Sequence, residues 1–243
     1  MTNTEYSAYL ASVLSENRLE SFSTDEICSK LAVFCDYLLE QNELFNLTAI
    51  KTHEVAALLH FADSLTLSEY LPEGAKILDV GSGAGFPAIP IAIARPDIHV
   101  TALDSTLKRV NFINSAAKML GLDNLTAVCH RAEDVTGSEF KESFDVVTAR
   151  AVAPYPILLE LCLPAVKVGG KFVAMKSKDV SRETNGIERV SKLLSISTPK
   201  FNYSEIHHSE EVFERCIVEV AKNGPTPAKY PRAYAQIKKK PIF

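Results

Sequence analysis

Lys76-Ile77-Leu78-Asp79-Val80-Gly81-Ser82-Gly83-Ala84-Gly85-Phe86-Pro87 decides how the rest of the chain is read. Five residues suited to a buried strand run straight into a turn with three glycines, and an apolar helical pattern, Ala88–Ala94, follows the proline. Glycine admits φ > 0 and lets a ligand approach the backbone closely, and Pro87 suits the first turn of a helix. Downstream, short apolar runs at His99–Leu103, Leu125–Cys129, Phe144–Thr148 and Lys171–Met175 alternate with helical patterns at Leu107–Leu120 and Pro156–Val166. That rhythm predicts a mostly parallel sheet with right-handed crossovers and helices on both faces. A helix over Arg182–Leu194 and two strands, Lys200–Ile206 and Phe213–Ala221, follow, the strands forming an antiparallel hairpin that closes the sheet. Upstream the chain reads as helices. Tyr6, Tyr9, Leu10, Val13 and Leu14 recur at helical spacing, and a second helix follows the capping segment Ser23-Thr24-Asp25-Glu26. A third runs from His53 to Tyr70, where Pro72 and Gly74 end it. The expected division is a helical N-terminal extension (1–72), an α/β core (73–222) and a basic C-terminal tail (223–243) packing on or beside the core.

Ligands in such sheets sit outside the carboxyl ends of the strands. A dinucleotide-binding turn wants G-x-G-x-x-G; here Phe86 stands at the third glycine position and glycine arrives one residue early. The observed D-x-G-x-G-x-G, Asp79 to Gly85, instead resembles motif I of the S-adenosylmethionine-dependent methyltransferases of class I, with their Rossmann-like core. Asp104, 23 residues past Gly81, ends the second strand beside Ser105, where a carboxylate can accept from both ribose hydroxyls. His130-Arg131-Ala132-Glu133-Asp134 follows the third strand, and the resemblance implies a loop that contacts adenine there, through Ala132 and Glu133; taken alone, Glu133 and Asp134 read as solvent-facing helix-cap residues. The cofactor expected is S-adenosylmethionine, at Asp79, Gly81, Gly83, Gly85, Phe86, Asp104, Ser105, Ala132 and Glu133.

Composition narrows the class further. Of 243 residues, 47% are hydrophobic and 23% charged, as in a globular protein. There is no apolar run long enough to span a bilayer, and Met1–Asn17 lacks the basic start of a signal peptide, so a cytoplasmic protein without membrane attachment is expected. The five cysteines are scattered and form no C-x-x-C pair; Cys28 and Cys35, on one helix face, read as packed, reduced thiols. His53, His60 and Asp63 on one helix make an incomplete metal set, so no metal is expected. Net charge is −4, yet Val220–Phe243 holds six basic residues and no acidic one. An acidic body with a basic tail can hold RNA locally, through Arg232, Lys238, Lys239 and Lys240, with Lys108 and Arg109 as further phosphate contacts. A solvated tail and a solvated helix face are the alternatives.

The acceptor is approached by exclusion. A hydroxyl acceptor must lose a proton, whereas a ring nitrogen with a free lone pair need not. The Asn/Asp-Pro-Pro-aromatic motif of exocyclic-amine enzymes is replaced after the fourth strand by Thr148-Ala149-Arg150-Ala151-Val152-Ala153-Pro154-Tyr155-Pro156, and no Pro-Cys dipeptide is present. From about Phe45 onward the chain resembles the RsmG family of bacterial 16S ribosomal RNA guanine-N7 methyltransferases, also called glucose-inhibited division protein B. The segments that carry the resemblance are Asn46–Ile50, His60–Leu65, Ile77–Pro90, Leu103–Ser105 with Lys108-Arg109, Arg131–Glu133, Ala149–Pro154 and Lys229–Arg232. The family implies methylation of N7 of one guanine in 16S rRNA, the guanine at position 527. The RNA would be bound free or within the small subunit, by a monomer. It also implies cofactor contacts at Gly81, Phe86, Asp104, Ala132, Glu133 and Arg150. Arg150 would position cofactor or substrate without an obligatory base. Ala88, where the family usually has Gly, and the tail Ala235–Pro241 depart from the family pattern. The alternatives are another acceptor (tRNA, protein or small molecule) and a non-catalytic cofactor-binding protein of ribosome assembly.

Overall fold

The computed structural model describes residues 1–208 and 210–243. Seven strands form one sheet in the order β3-β2-β1-β4-β5-β7-β6. They are β1 (Lys76–Val80), β2 (His99–Asp104), β3 (Leu125–Cys129), β4 (Phe144–Arg150), β5 (Val166–Ser177), β6 (Lys200–His208) and β7 (Glu211–Ala221). The first five are parallel, and β7 runs antiparallel to both β5 and β6. The predicted sheet and its closing hairpin are therefore found. From β1 the chain steps outward to β2 and β3, then returns to β4 on the other side of β1. That reversal opens a crevice at the carboxyl ends of β1 and β4.

The alternation of side chains sorts the core into two layers. Ile77, Val100, Val146, Val173 and Ile217 join the cluster beneath α1 (Asn3–Glu16), α2 (Asp25–Phe45), α5 (Ala88–Ala94) and α6 (Leu107–Leu120). Their neighbours Leu78, Leu103, Val147, Phe172 and Val218 face the opposite cluster, with α7 (Tyr155–Cys162) and α8 (Ile187–Leu194). The helix ends follow local chemistry. Thr2 and Glu5 close a capping box on α1. Thr24 accepts from the Ile27 amide at the start of α2, and Gly121, at φ +65°, ends α6 in the left-handed region.

Apart from shifted ends, such as the helix expected to reach Val166 that stops at Cys162 as β5 begins at Val166, three segments differ from the sequence reading. The helix expected over His53–Tyr70 is α-helical only at α3 (His53–Ala56) and α4 (Asp63–Leu65); Ala57–Ala62 between them is π-helical, and Thr66–Tyr70 is a 3₁₀ turn. The one-residue widening is invisible to a periodicity count, and such insertions are frequent at functional sites. The helix expected from Arg182 begins only at Ile187, because Lys178–Glu183 form a 3₁₀ turn and Gly186 sits at φ +97°. Lys222 does not belong to a solvated tail. Its ammonium is fully buried, 3.0 Å from Glu142, and donates to the carbonyls of Leu163 and Val166. Burial pushes its pKa down, while Glu142 opposes the shift. The rest of the tail packs on the second layer through Tyr230 and Ile237, the latter on α9 (Tyr234–Lys239).

Candidate cofactor site

The turn after β1 is tied to the end of β2. The amides of Gly81 and Ser82 both donate to the Leu103 carbonyl, at 2.7 and 3.1 Å, and those of Gly85 and Phe86 fold back onto the Ser82 carbonyl. Gly81 lies at φ +75°, and a Cβ added there would stand 2.5 Å from the Val152 side chain. Only glycine fits both the backbone angle and the space. Asp104 is 3% exposed. Its carboxylate accepts from the Gly83 amide (3.0 Å), from the Thr106 amide (2.9 Å) and, at 3.4 Å, from the Arg109 guanidinium. Turn and carboxylate are thus one rigid unit.

This unit forms one wall of a cavity of about 470 Å³, a size suited to a small cofactor. Of the residues expected at the cofactor, Gly81, Gly83, Phe86, Asp104, Ser105, Ala132, Glu133 and Arg150 line it. Asp79 and Gly85 lie behind the wall. Gly85 packs against Ile89, leaving no room for a side chain. Asp79 is 1% exposed, and among the described residues neither carboxylate oxygen has a hydrogen-bond partner. Burial pushes its pKa up to about 7.

The N-terminal extension supplies the facing wall. Leu47, Thr48 and His60 line the cavity. Asn42, buried on α2, holds the 46–50 loop by accepting from the Thr48 amide and donating to the Ile50 carbonyl. The His60 ring stacks on Phe86 at 4.0 Å and 13°. Its Nδ1 faces an Arg150 nitrogen at 3.3 Å and its Nε2 faces the Thr48 hydroxyl at 2.9 Å. Arginine only donates, so Nδ1 accepts and the proton sits on Nε2, directed at Thr48. Burial, aided by the Arg150 charge, pushes the His60 pKa down to about 3 and keeps the ring neutral.

Arg150 reaches from the end of β4 into the widened segment. It donates to Asp63 (2.9 Å) and to the Leu59 carbonyl (3.1 Å), and its guanidinium lies 5.2 Å from the Phe86 ring centre. Arg215 on β7 donates to the other Asp63 oxygen at 2.8 Å. These pairs were not foreseen, although His60 and Asp63 lay in a segment singled out by resemblance. Partners 87 and 152 residues away leave no local trace. Tyr234 also lines the cavity, and nothing in its surrounding sequence marks it.

The basic residues expected at RNA divide. Lys238, Lys239 and Lys240 are exposed on or next to α9. Lys108 is exposed on α6, with its ammonium 4.0 Å from the Phe45 ring centre. Arg109 turns to Asp104, and Arg232 makes a bidentate pair with the buried Glu160, at 2.8 and 2.6 Å. Among the described residues, no three His, Cys, Asp or Glu side chains gather as a metal site, and no helix is long and apolar enough to cross a membrane.

A glycine turn of this spacing after β1, a buried acid ending β2 and an antiparallel β7 set between β5 and β6 mark a class I S-adenosylmethionine-dependent methyltransferase. The likeness to solved structures agrees. One is an O-methyltransferase from Bacillus cereus in complex with SAH (TM-score 0.53, 17% identity, 78% of this chain and 91% of that one). Another is a precorrin-6y C5,15-methyltransferase from Geobacter metallireducens (TM-score 0.52, 17% identity, 66% of this chain and 87% of that one). At such identity they establish the fold alone. The chain belongs to the GidB family, rRNA small subunit methyltransferase G, whose model matches residues 27–221. Relatives with the name ribosomal RNA small subunit methyltransferase G include one from Macrococcus caseolyticus, 42% identical over 90% of this chain and 92% of its own length. Another, from Lactobacillus acidophilus, is 39% identical over the same shares.

Proposed function

We propose that this protein transfers the methyl group of S-adenosylmethionine to N7 of a guanine in 16S ribosomal RNA. The observation that carries the reading is near-full-length similarity, at 42% identity, to a ribosomal RNA small subunit methyltransferase G. The cavity's chemistry supports it. A buried carboxylate on a glycine turn suits a ribose with two free hydroxyls, and Asp104 with Gly81–Gly83 would hold that part of the cofactor. Phe86, Ala132 and Glu133 would complete its surroundings. Bound S-adenosylmethionine supplies an activated sulfonium methyl for in-line displacement.

The chain's own residues then have to orient and exclude water rather than move a proton, because guanine N7 attacks with a lone pair. His60 suits that task. It is neutral, and both of its nitrogens are engaged with Arg150 and Thr48. Arg150 locks the N-terminal wall to the end of β4, and so acts as a positioning residue between the two halves of the cavity. Lys238–Lys240 give an exposed positive surface for RNA phosphates. Substrate RNA would place the protein in the cytoplasm with the ribosomal subunits.

Incubation with cofactor tritiated in its methyl group and either free 16S rRNA or small subunits tests the reading. Label should appear in RNA, and reduction followed by aniline should cleave the chain at one 7-methylguanine. Cofactor binding without transfer of label to either substrate would overturn the enzymatic reading, and label at another atom would overturn the acceptor.

A further inference from the structure

The C-terminal tail read from its charge as an RNA arm is anchored to the core beside the cavity. Glu160, on α7, is 1% exposed and accepts three bonds from one residue: the Arg232 amide (2.9 Å), its Nε (2.8 Å) and its Nη2 (2.6 Å). Tyr230 on one side of that latch and Ile237 on the other are buried in the second core layer. The segment between them has little freedom. It carries Tyr234, the first residue of α9, to the wall of the cofactor cavity.

The packing places Tyr234 on the side of the cavity formed by α7 and the turn after β3. α9 packs on α7, and α7 packs on the turn Ala132–Gly137 after β3. Leu161 of α7, Ala132 of the turn and Tyr234 of α9 line the same space. His60, from the N-terminal wall, and Arg150, at the end of β4, line the same cavity from other elements. Tyr234 keeps 38% of its surface exposed, although the tail around it is pinned by buried groups. A large aromatic ring held open at a cavity mouth by a rigid support suits a planar, π-faced ligand.

We infer that Tyr234 is a cofactor-binding residue that closes the adenine end of the cavity, and that the Arg232–Glu160 latch exists to hold it there. The inference rests on the reading of this cavity as the S-adenosylmethionine site. The tail then contributes to cofactor affinity through its fold, independently of its lysines.

The test uses the full-length protein with S-adenosylhomocysteine and 5′-methylthioadenosine, measured by calorimetry. Tyr234→Ala should weaken both ligands about tenfold or more, the loss expected for one stacked base. Tyr234→Phe, which keeps the ring, should bind both like the wild type, and both Tyr234 variants should keep the wild-type thermal midpoint. The chain has no tryptophan, so Tyr234→Trp places a single indole at the mouth, and its emission should change saturably with either ligand. Asp104→Ala separates the two levels of failure. If it abolishes binding while Tyr234→Ala binds normally and the indole is silent, the inference about Tyr234 is overturned and the cavity stands. If Asp104→Ala also binds normally, the cavity reading falls and the inference with it. A raised KM for RNA at unchanged cofactor affinity in Tyr234→Ala would assign the ring to the acceptor and overturn the proposal.

Discussion

Asp63 bridges Arg150 and Arg215. One carboxylate oxygen lies 2.9 Å from Nη1 of Arg150 and the other 2.8 Å from Nε of Arg215. The carboxylate is 8% exposed, so it joins the N-terminal helices to β4 and β7 with little help from water. Removing one partner of such a pair strands charge in the interior. Asp63→Asn should therefore destabilise the fold by about 3–5 kcal/mol, seen as a lower urea midpoint at an unchanged slope. Cofactor affinity should fall in parallel, because the His60 wall is fixed through Arg150. A variant as stable as the wild type would mean that the bridge contributes nothing.

The glycine turn makes a sharper demand. Gly81→Val puts a branched side chain where a Cβ alone would lie 2.5 Å from Val152, at φ +75°. Binding of S-adenosylhomocysteine should become undetectable by calorimetry. Gly121→Ala is the matched control. It shares a left-handed backbone, at φ +65°, but meets open space, so it should cost about 1 kcal/mol of stability and leave binding intact. Equal loss in both variants would point to general unfolding instead of the turn.

Asp79 gives the fold a pH signature. Its native pKa is raised from 3.8 to about 7 by burial, so the folded state holds a proton that the unfolded chain has released. The associated stability is complete below about pH 4 and is lost as pH rises through 7, by a few kcal/mol in all. Asp79→Asn removes this component. Subtracting the variant's unfolding free energy from the wild type's should leave a difference that falls from pH 5 to about 7 and levels off above it. A flat difference would show that the carboxyl ionises freely in the fold.

The three exposed lysines of the tail can be tested for RNA contact directly. Replacing Lys238, Lys239 and Lys240 by glutamine should reduce the slope of log affinity against log salt by about 2 to 3, the expected counterion release for three phosphates. S-adenosylhomocysteine affinity should not change. An unaltered salt slope would remove these lysines from the RNA surface.

The strands and the Rossmann-like order were legible because they depend on local pattern. β1, β3, α5 and α6 begin and end where alternation and periodicity place them. The glycine turn and Asp104 were legible because spacing and chemistry coincide there. The opposite wall was not. The π-helical widening over Ala57–Ala62 changes which way His60 and Asp63 face, and one sequence carries no count of that extra residue per turn. Charge tallies misled in the tail for a related reason. Lys222 and Arg232 look like free cations in the sequence, yet Glu142 and Glu160, from distant elements, take them into the packed layers.

The Asp63 bridge also sets an order of events during synthesis. Arg215 follows Asp63 by 152 residues, so a growing chain exposes the helices of the N-terminal wall long before their second counter-charge exists. At translation speeds of about 5–20 residues per second, Asp63 waits on the order of ten seconds or more for it. The cavity is therefore finished from the far end of the polypeptide, and an incomplete chain holds every residue of the glycine turn without a completed chamber around it.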